Sequence, residues 1–242
     1  MAKYSLSLLC CLLYSFIKAH TQQPAQEQLA GLWKHAQCDT CGLQQPLGYI
    51  GSDYQRFYIH FDAVEYEPAS KSFAVSGQTR VKEYYDRFRG HLWMDSLKLI
   101  PRDEYIPYQE GFIIGHYRFY EDSASATSGW FEGSFSTFIY IDSTGAIRYN
   151  DLWDGADGNE NNQFEGTWTS YRSKLSKTCN WGDYRIPNSD SLDWGAAEFY
   201  PSPAYTKKGW ENYRNVLLGE TEELVQRAIA IEQRAWWKPA KR

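Results

Sequence analysis

Blocks of Lys and Arg are missing from this chain of 242 residues, which carries 25 basic against 30 acidic side chains. Holding a phosphate polyanion needs grouped positive charge, so the sequence argues against nucleic acid as a partner. Recognisable catalytic frames are missing too. There is no Gly-x-Ser-x-Gly, no His-Glu-x-x-His and no glycine loop that could cradle phosphate, and the five His stand in no Ser/His/Asp arrangement. Long apolar runs are missing except one, "YSLSLLCCLLYSFI" at 4–17, preceded by Lys3 and followed by "KAHTQQPAQEQ". A basic start, a short apolar stretch and a polar exit predict a secretory leader over 1–19, too short to span a bilayer comfortably. Cleavage is expected near Ala19 or His20, with the product exported to a periplasm or the outside. Neither Cys10 nor Cys11 follows a small residue, which argues against lipidation. Removing Lys3 and Lys18 leaves 23 basic against 30 acidic residues, a net charge of −7. No second segment reaches membrane length.

Cysteine is scarce as well: Cys38, Cys41 and Cys179 remain after the leader. Export favours one disulfide among the three, with one thiol left over. The "CDTC" spacing suits redox chemistry only when it opens a helix after a strand, and here "GLQQPLGY" follows, read as loop. His35 with the three cysteines would also be an acceptable zinc ligand set. The structural disulfide is the leading expectation.

Aromatic residues, by contrast, are abundant: 19 Tyr, 12 Phe and 10 Trp. They sit in short runs of period two, the signature of strands with one buried face. Strands are predicted over 31–37, 56–66, 72–85, 91–100, 111–122, 129–142, 145–153 and 162–172, separated by turn-forming residues. Consecutive antiparallel strands joined by short turns predict a mainly β fold, an up-and-down barrel of about eight strands whose closure removes exposed edges. The barrel is expected over 20–172. An irregular tail over 173–208 should pack on it through Trp181, Ile186, Leu192, Trp194 and Phe199. Helix is expected over 209–242, split at Gly219, with Leu217, Leu218, Leu224, Val225, Ala228, Ile229 and Trp236 as its buried stripe.

One string occurs twice. "FEGSFSTF" starts at Phe131 and "FEGTWTSY" at Phe164. Each places Phe and Gly on one strand face and Glu on the other. Glycine within a strand weakens it unless the strand must bend or another group must approach closely. The repeat is therefore read as strand geometry used twice, with Gly133 and Gly166 as bending points, and not as a duplicated domain.

"GLWKH", with Gly31 and Trp33, resembles the Gly-x-Trp motif of lipocalins and the wider calycin group. The resemblance implies an eight-stranded barrel in which Trp33 packs across the closed end. It implies that a basic residue near the end of the last strand, Arg172 by order, covers that tryptophan, and that a helix follows the last strand. It also implies a small ligand held in the barrel.

The candidate sites follow. A ligand-binding lining is expected from Phe119, Phe135 and Trp168. Trp181 and Trp194, each in a Trp-Gly pair beside acids, are candidates for stacking on a sugar ring from exposed loops, or for docking the tail. Asp154, Asp157, Asn159 and Glu160 form an oxygen-rich loop that reads either as a calcium site or as a plain hydrophilic hairpin loop. Glu132 and Glu165 hold equivalent places in the two octets. Facing inward they would be paired acids for glycoside hydrolysis; facing outward they are solvated. The leading expectation is a non-enzymatic carrier of a small apolar or amphipathic molecule. A surface module for glycan or protein comes second, and a hydrolase third. Beyond the calcium candidate no cofactor is expected.

Overall fold

The computed structural model describes residues 28–34, 46–101, 105–125, 127–153 and 156–238. The strands are β1 (Leu47–Ile50), β2 (Gln55–Glu67), β3 (Ser72–Val81), β4 (Tyr84–Leu99), β5 (Gln109–Glu121), β6 (Gly129–Ile141), β7 (Ile147–Tyr149), β8 (Asn161–Ser170) and β9 (Ser176–Asp183). All pairings are antiparallel, and the order β5-β4-β3-β2-β1-β9-β8-β6 is completed by β6 pairing with β5. Eight strands thus close a barrel-like ring in up-and-down sequence. β7 hangs on β6 outside the ring. No helix among the described residues is long and apolar enough to cross a membrane.

Two predicted ring strands are replaced by two others. Residues Ala30–Trp33 form a 3-10 turn that ends at Lys34, and residues 35–37 of the predicted first strand lie outside the described residues. The 145–153 segment supplies only the short β7. Their places in the ring are taken by β1, read in the sequence as loop, and β9, read as irregular tail. The cause is polar side chains on the outer phase. In "TCNWGD" Cys179 and Trp181 point inward, while Asn180 donates to Tyr49 Oη (3.1 Å) and the Pro187 carbonyl (3.0 Å) under the tail. The β3–β4 turn also falls at Lys82, where φ is +56°, instead of at "DRFRG".

The two octets lie side by side. Phe131 faces Trp168, Gly133 faces Gly166 and Phe135 faces Phe164. The repeat is therefore one antiparallel pair that matches itself about the Gly133–Gly166 step. A Cβ on Gly166 would come 2.2 Å from the Glu132 carbonyl and 2.5 Å from Tyr117 Oη. Tyr117 thus lies over the gap that the glycines leave. There it packs edge-on against Trp181, at 5.1 Å between centroids, and Trp181 stacks on Phe164 at 4.9 Å. Phe57, Phe61, Phe119, Phe131 and Phe135 surround this group and fill the middle of the ring.

The tail builds a second core on the outer face. Ile186, Leu192, Phe199, Trp210 and Tyr213 cover Leu47 and Tyr49. Trp181 is instead inside the ring, and Trp194 is 64% exposed. The C-terminal helices are α1 (Glu211–Leu218) and α2 (Glu222–Glu232), divided at Gly219 as the sequence predicted, with Thr221 capping α2 by accepting from Leu224 N. Their apolar stripe is only partly covered: Ala228 and Trp236 are buried, while Leu218 and Leu224 are exposed. What fastens α2 is a charge. Glu232 accepts two hydrogen bonds from Arg56 on β2, at 2.7 and 2.6 Å, with both side chains buried. The guanidinium lies over the rings of Tyr58, Trp210 and Tyr213.

Breaking that pair from one side leaves a charge buried alone. Glu232→Ala should lower the unfolding free energy by about 3–5 kcal/mol in urea titration, whereas the double change Arg56→Met with Glu232→Leu should cost far less. Gly166→Ala should cost about 1–3 kcal/mol in the same assay, because the added methyl must displace backbone as well as Tyr117.

Candidate functional site: the open end of the ring

The two ends of the ring differ. At one end Trp33 packs edge-on against Phe73 and Phe135, and its indole N–H donates to Thr137 Oγ1 at 3.0 Å. Thr137 donates to Asn162 Oδ1, and Asn162 Nδ2 donates to the Leu32 carbonyl and to Asp183 Oδ2. Tyr149 Oη donates to the same Asp183 oxygen at 2.8 Å. This network closes the end. Burial pushes the Asp183 carboxyl up to about 7 despite its two donors.

Trp33 therefore lies across one end of the ring. Arg172 does not cover it. β8 begins at the Trp33 end and finishes at Ser170, so Arg172 is exposed on the β8–β9 turn at the opposite end. Gly31 is exposed in the 3-10 turn. Arg185, nearer the closed end, is bound to Asp193 in the tail.

The opposite end is open. A cavity of about 390 Å³ is bounded there by the ends of the strands. Phe57, Phe131, Trp168, Ile50 and Val81 provide apolar wall, while Thr79, Glu121, Ser170 and Asp86 provide polar groups. Asp53, Lys82 and Tyr84 at the margin reach solvent. Phe119 and Phe135 do not line this space. They are 0% and 3% exposed within the packed middle, so of the predicted lining only Trp168 borders the cavity.

Glu121 dominates the cavity's chemistry. It is 7% exposed and accepts from Thr79 Oγ1 (2.7 Å), Trp168 Nε1 (2.9 Å) and Gly129 N (2.9 Å). Burial pushes its carboxyl up to about 7, opposed by those donors and reinforced by Asp86. Asp86 is itself raised by burial. Sequence reasoning missed both acids, yet the signal is present. Ile113, Gly115, Tyr117 and Phe119 make one strand face, and Glu121 stands at the next position of that same phase. Asp86 precedes Phe88, Gly90 and Leu92 in the same way.

Comparison with protein-family models, with curated proteins and with solved structures gives no match.

The acids singled out from the octets lie elsewhere. Glu132 and Glu165 share the outer face, where Glu132 pairs with Arg118 at 2.5 Å and Glu165 accepts from Asn188 Nδ2 at 2.5 Å. Both are on the solvated side. In the calcium candidate, Asp154 lies outside the described residues, Asp157 and Glu160 are exposed, Asn159 is half-buried, and no group of three metal-binding side chains occurs among the described residues. The following residues of that loop, Asn161 and Asn162, are buried and serve the closed end. Cys179 is a free thiol, fully buried on β9, and so has the place of the one thiol left over among the three cysteines; Cys38, Cys41 and His35 lie outside the described residues.

Glu121 and Asp183 both favour the protonated state in the fold. That preference stabilises the protein fully below the ordinary carboxylate range and is lost as pH rises through about 7. Glu121→Gln imitates the protonated acid: its carbonyl can accept from Trp168 and Gly129, and its amide can donate to Thr79. Thermal unfolding of this variant should match wild type near pH 4 and exceed it by a few degrees at pH 8. A variant less stable than wild type at pH 8 would show that the ionised carboxylate is what the three donors hold.

Proposed function

We propose that this chain is an exported, non-enzymatic binding protein that holds a small amphipathic molecule in the open end of a lipocalin-like ring. The observation that carries this reading is the cavity of about 390 Å³, within the size range of small-molecule sites. Its composition supports the same reading, since the aromatic and aliphatic wall of Phe57, Phe131, Trp168, Ile50 and Val81 stands beside polar groups that can orient an occupant. The packed aromatic middle beneath it means that an occupant sits at the mouth and does not thread the ring. The solvated placement of Glu132 and Glu165 removes the carboxylate pair on which a hydrolase reading rested. Export rests on the apolar leader and the oxidising context it implies.

A second reading keeps one observation. Trp194, 64% exposed beside Gly195 on the tail, is a surface aromatic of the kind that stacks on sugar rings. It concerns a different face and competes with nothing in the cavity.

Native mass spectrometry of protein purified from its source should show a co-purifying small molecule. Val81 points into the cavity, so Val81→Trp should fill it. The neutral fluorescent probe N-phenyl-1-naphthylamine should bind wild type, and the Val81→Trp variant at least about tenfold more weakly. A clean apo mass together with equal probe binding by both proteins would overturn the reading.

A further inference from the structure

Glu121 has three hydrogen-bond donors, all of them neutral: a hydroxyl, an indole N–H and a backbone N–H. No Lys, Arg or His among the described residues makes an ion pair with it. A carboxylate offers about four lone-pair sites, so acceptor capacity remains toward the cavity. Asp86 adds to the same wall. It pairs in register with Thr79, and Glu121 lies opposite Phe88, so the two acids occupy neighbouring inward positions across β4 and β5. Asp86 has Ser125 and Asp122 as its polar neighbours and makes no ion pair among the described residues either.

The cations of this cavity lie at its margin. Lys177 is beside Asp53, which is bound by Lys208 at 2.5 Å, and Lys82 is on the exposed β3–β4 turn. The inner wall therefore carries two carboxyl groups without a cationic partner, beside aromatic rings, and both features favour a cation. A metal ion would want more ligands than are present, since no group of three metal-binding side chains occurs among the described residues.

We propose that the occupant of the cavity is a small organic cation, an apolar body with one primary ammonium group that sits against Glu121. This inference rests on the binding function proposed above and names its ligand class. The ammonium has three N–H donors, enough to engage the free acceptor of Glu121 and the Asp86 carboxylate together. Its charge takes the place of the proton that burial otherwise keeps on Glu121. When Glu121 starts protonated, binding transfers that proton to the buffer, and the bound pair is ammonium against carboxylate.

The test is isothermal titration calorimetry with tryptamine, tryptophol and indole-3-propionate, which put an ammonium, a hydroxyl and a carboxylate on one indole body. Octylamine, octanol and octanoate repeat the comparison on an alkyl body. At pH 7.5 each amine should bind at least about tenfold tighter than its alcohol, and each acid most weakly. At pH 6, titration in buffers of different ionisation enthalpy should show close to one proton released per amine bound. Glu121→Gln should reduce each amine to the level of its alcohol and abolish the proton release. Glu132→Gln, which removes an equal charge from the outer face, should change none of these values. Alcohols or acids that bind as tightly as amines, with the proton release absent, would overturn the ammonium assignment and leave the cavity reading standing. Failure of all six compounds to bind would overturn both.

Discussion

Everything in the ring is arranged around one close approach, that of Gly133 to Gly166. Two strands without side chains at that step leave a gap on the inner face, and Tyr117 fills it. Its ring supports Trp181, which stacks on Phe164, and the five phenylalanines around them complete a solid middle. Aromatic packing of this kind contributes through buried area first and edge-to-face geometry second. Because the middle is solid, the ring is divided into a sealed end and an open one. The sealed end is finished by Trp33 and its polar network, and the open end keeps the cavity. A larger residue at either glycine would disturb the partition and so both ends.

The two buried acids follow from the same partition. Asp183 and Glu121 sit at opposite ends, each on the inward phase of its strand, each satisfied by neutral donors. Burying an unpaired carboxylate is costly, and the cost is met here by hydrogen bonds and by retention of a proton. Their settings nevertheless differ. Asp183 is enclosed by Tyr149 and Asn162 beneath Trp33, so nothing large can reach it. Glu121 borders open space, with Asp86 beside it. One acid belongs to the architecture; the other is placed to meet something.

Much of the fold could be read from period-two alternation. Long, strongly patterned strands such as β2, β5 and β6 fall where the aromatics alternate, and the split of the C-terminal helices at Gly219 follows from its lack of a side chain. The misses share one cause. β1 and β9 are short and carry polar residues on the side that the tail covers, so Asn180 and Tyr49 resemble loop residues until their partners are known. Helix α2 misled in the same manner: its decisive buried residue is Glu232, whose partner Arg56 lies 176 positions away in sequence. Glu132 and Glu165 drew attention by repetition, whereas Glu121 and Asp86 stood in plain apolar phase at strand ends. An acid that keeps step with the buried residues is the better pointer.

Cys179 offers a different kind of consequence. Its sulfur is completely enclosed in the centre of the ring, and burial holds it as an unreactive thiol. Alkylating reagents can reach it only when strands separate. The rate at which that one position becomes labelled is consequently a clock for the opening of the whole structure, running under native conditions without denaturant.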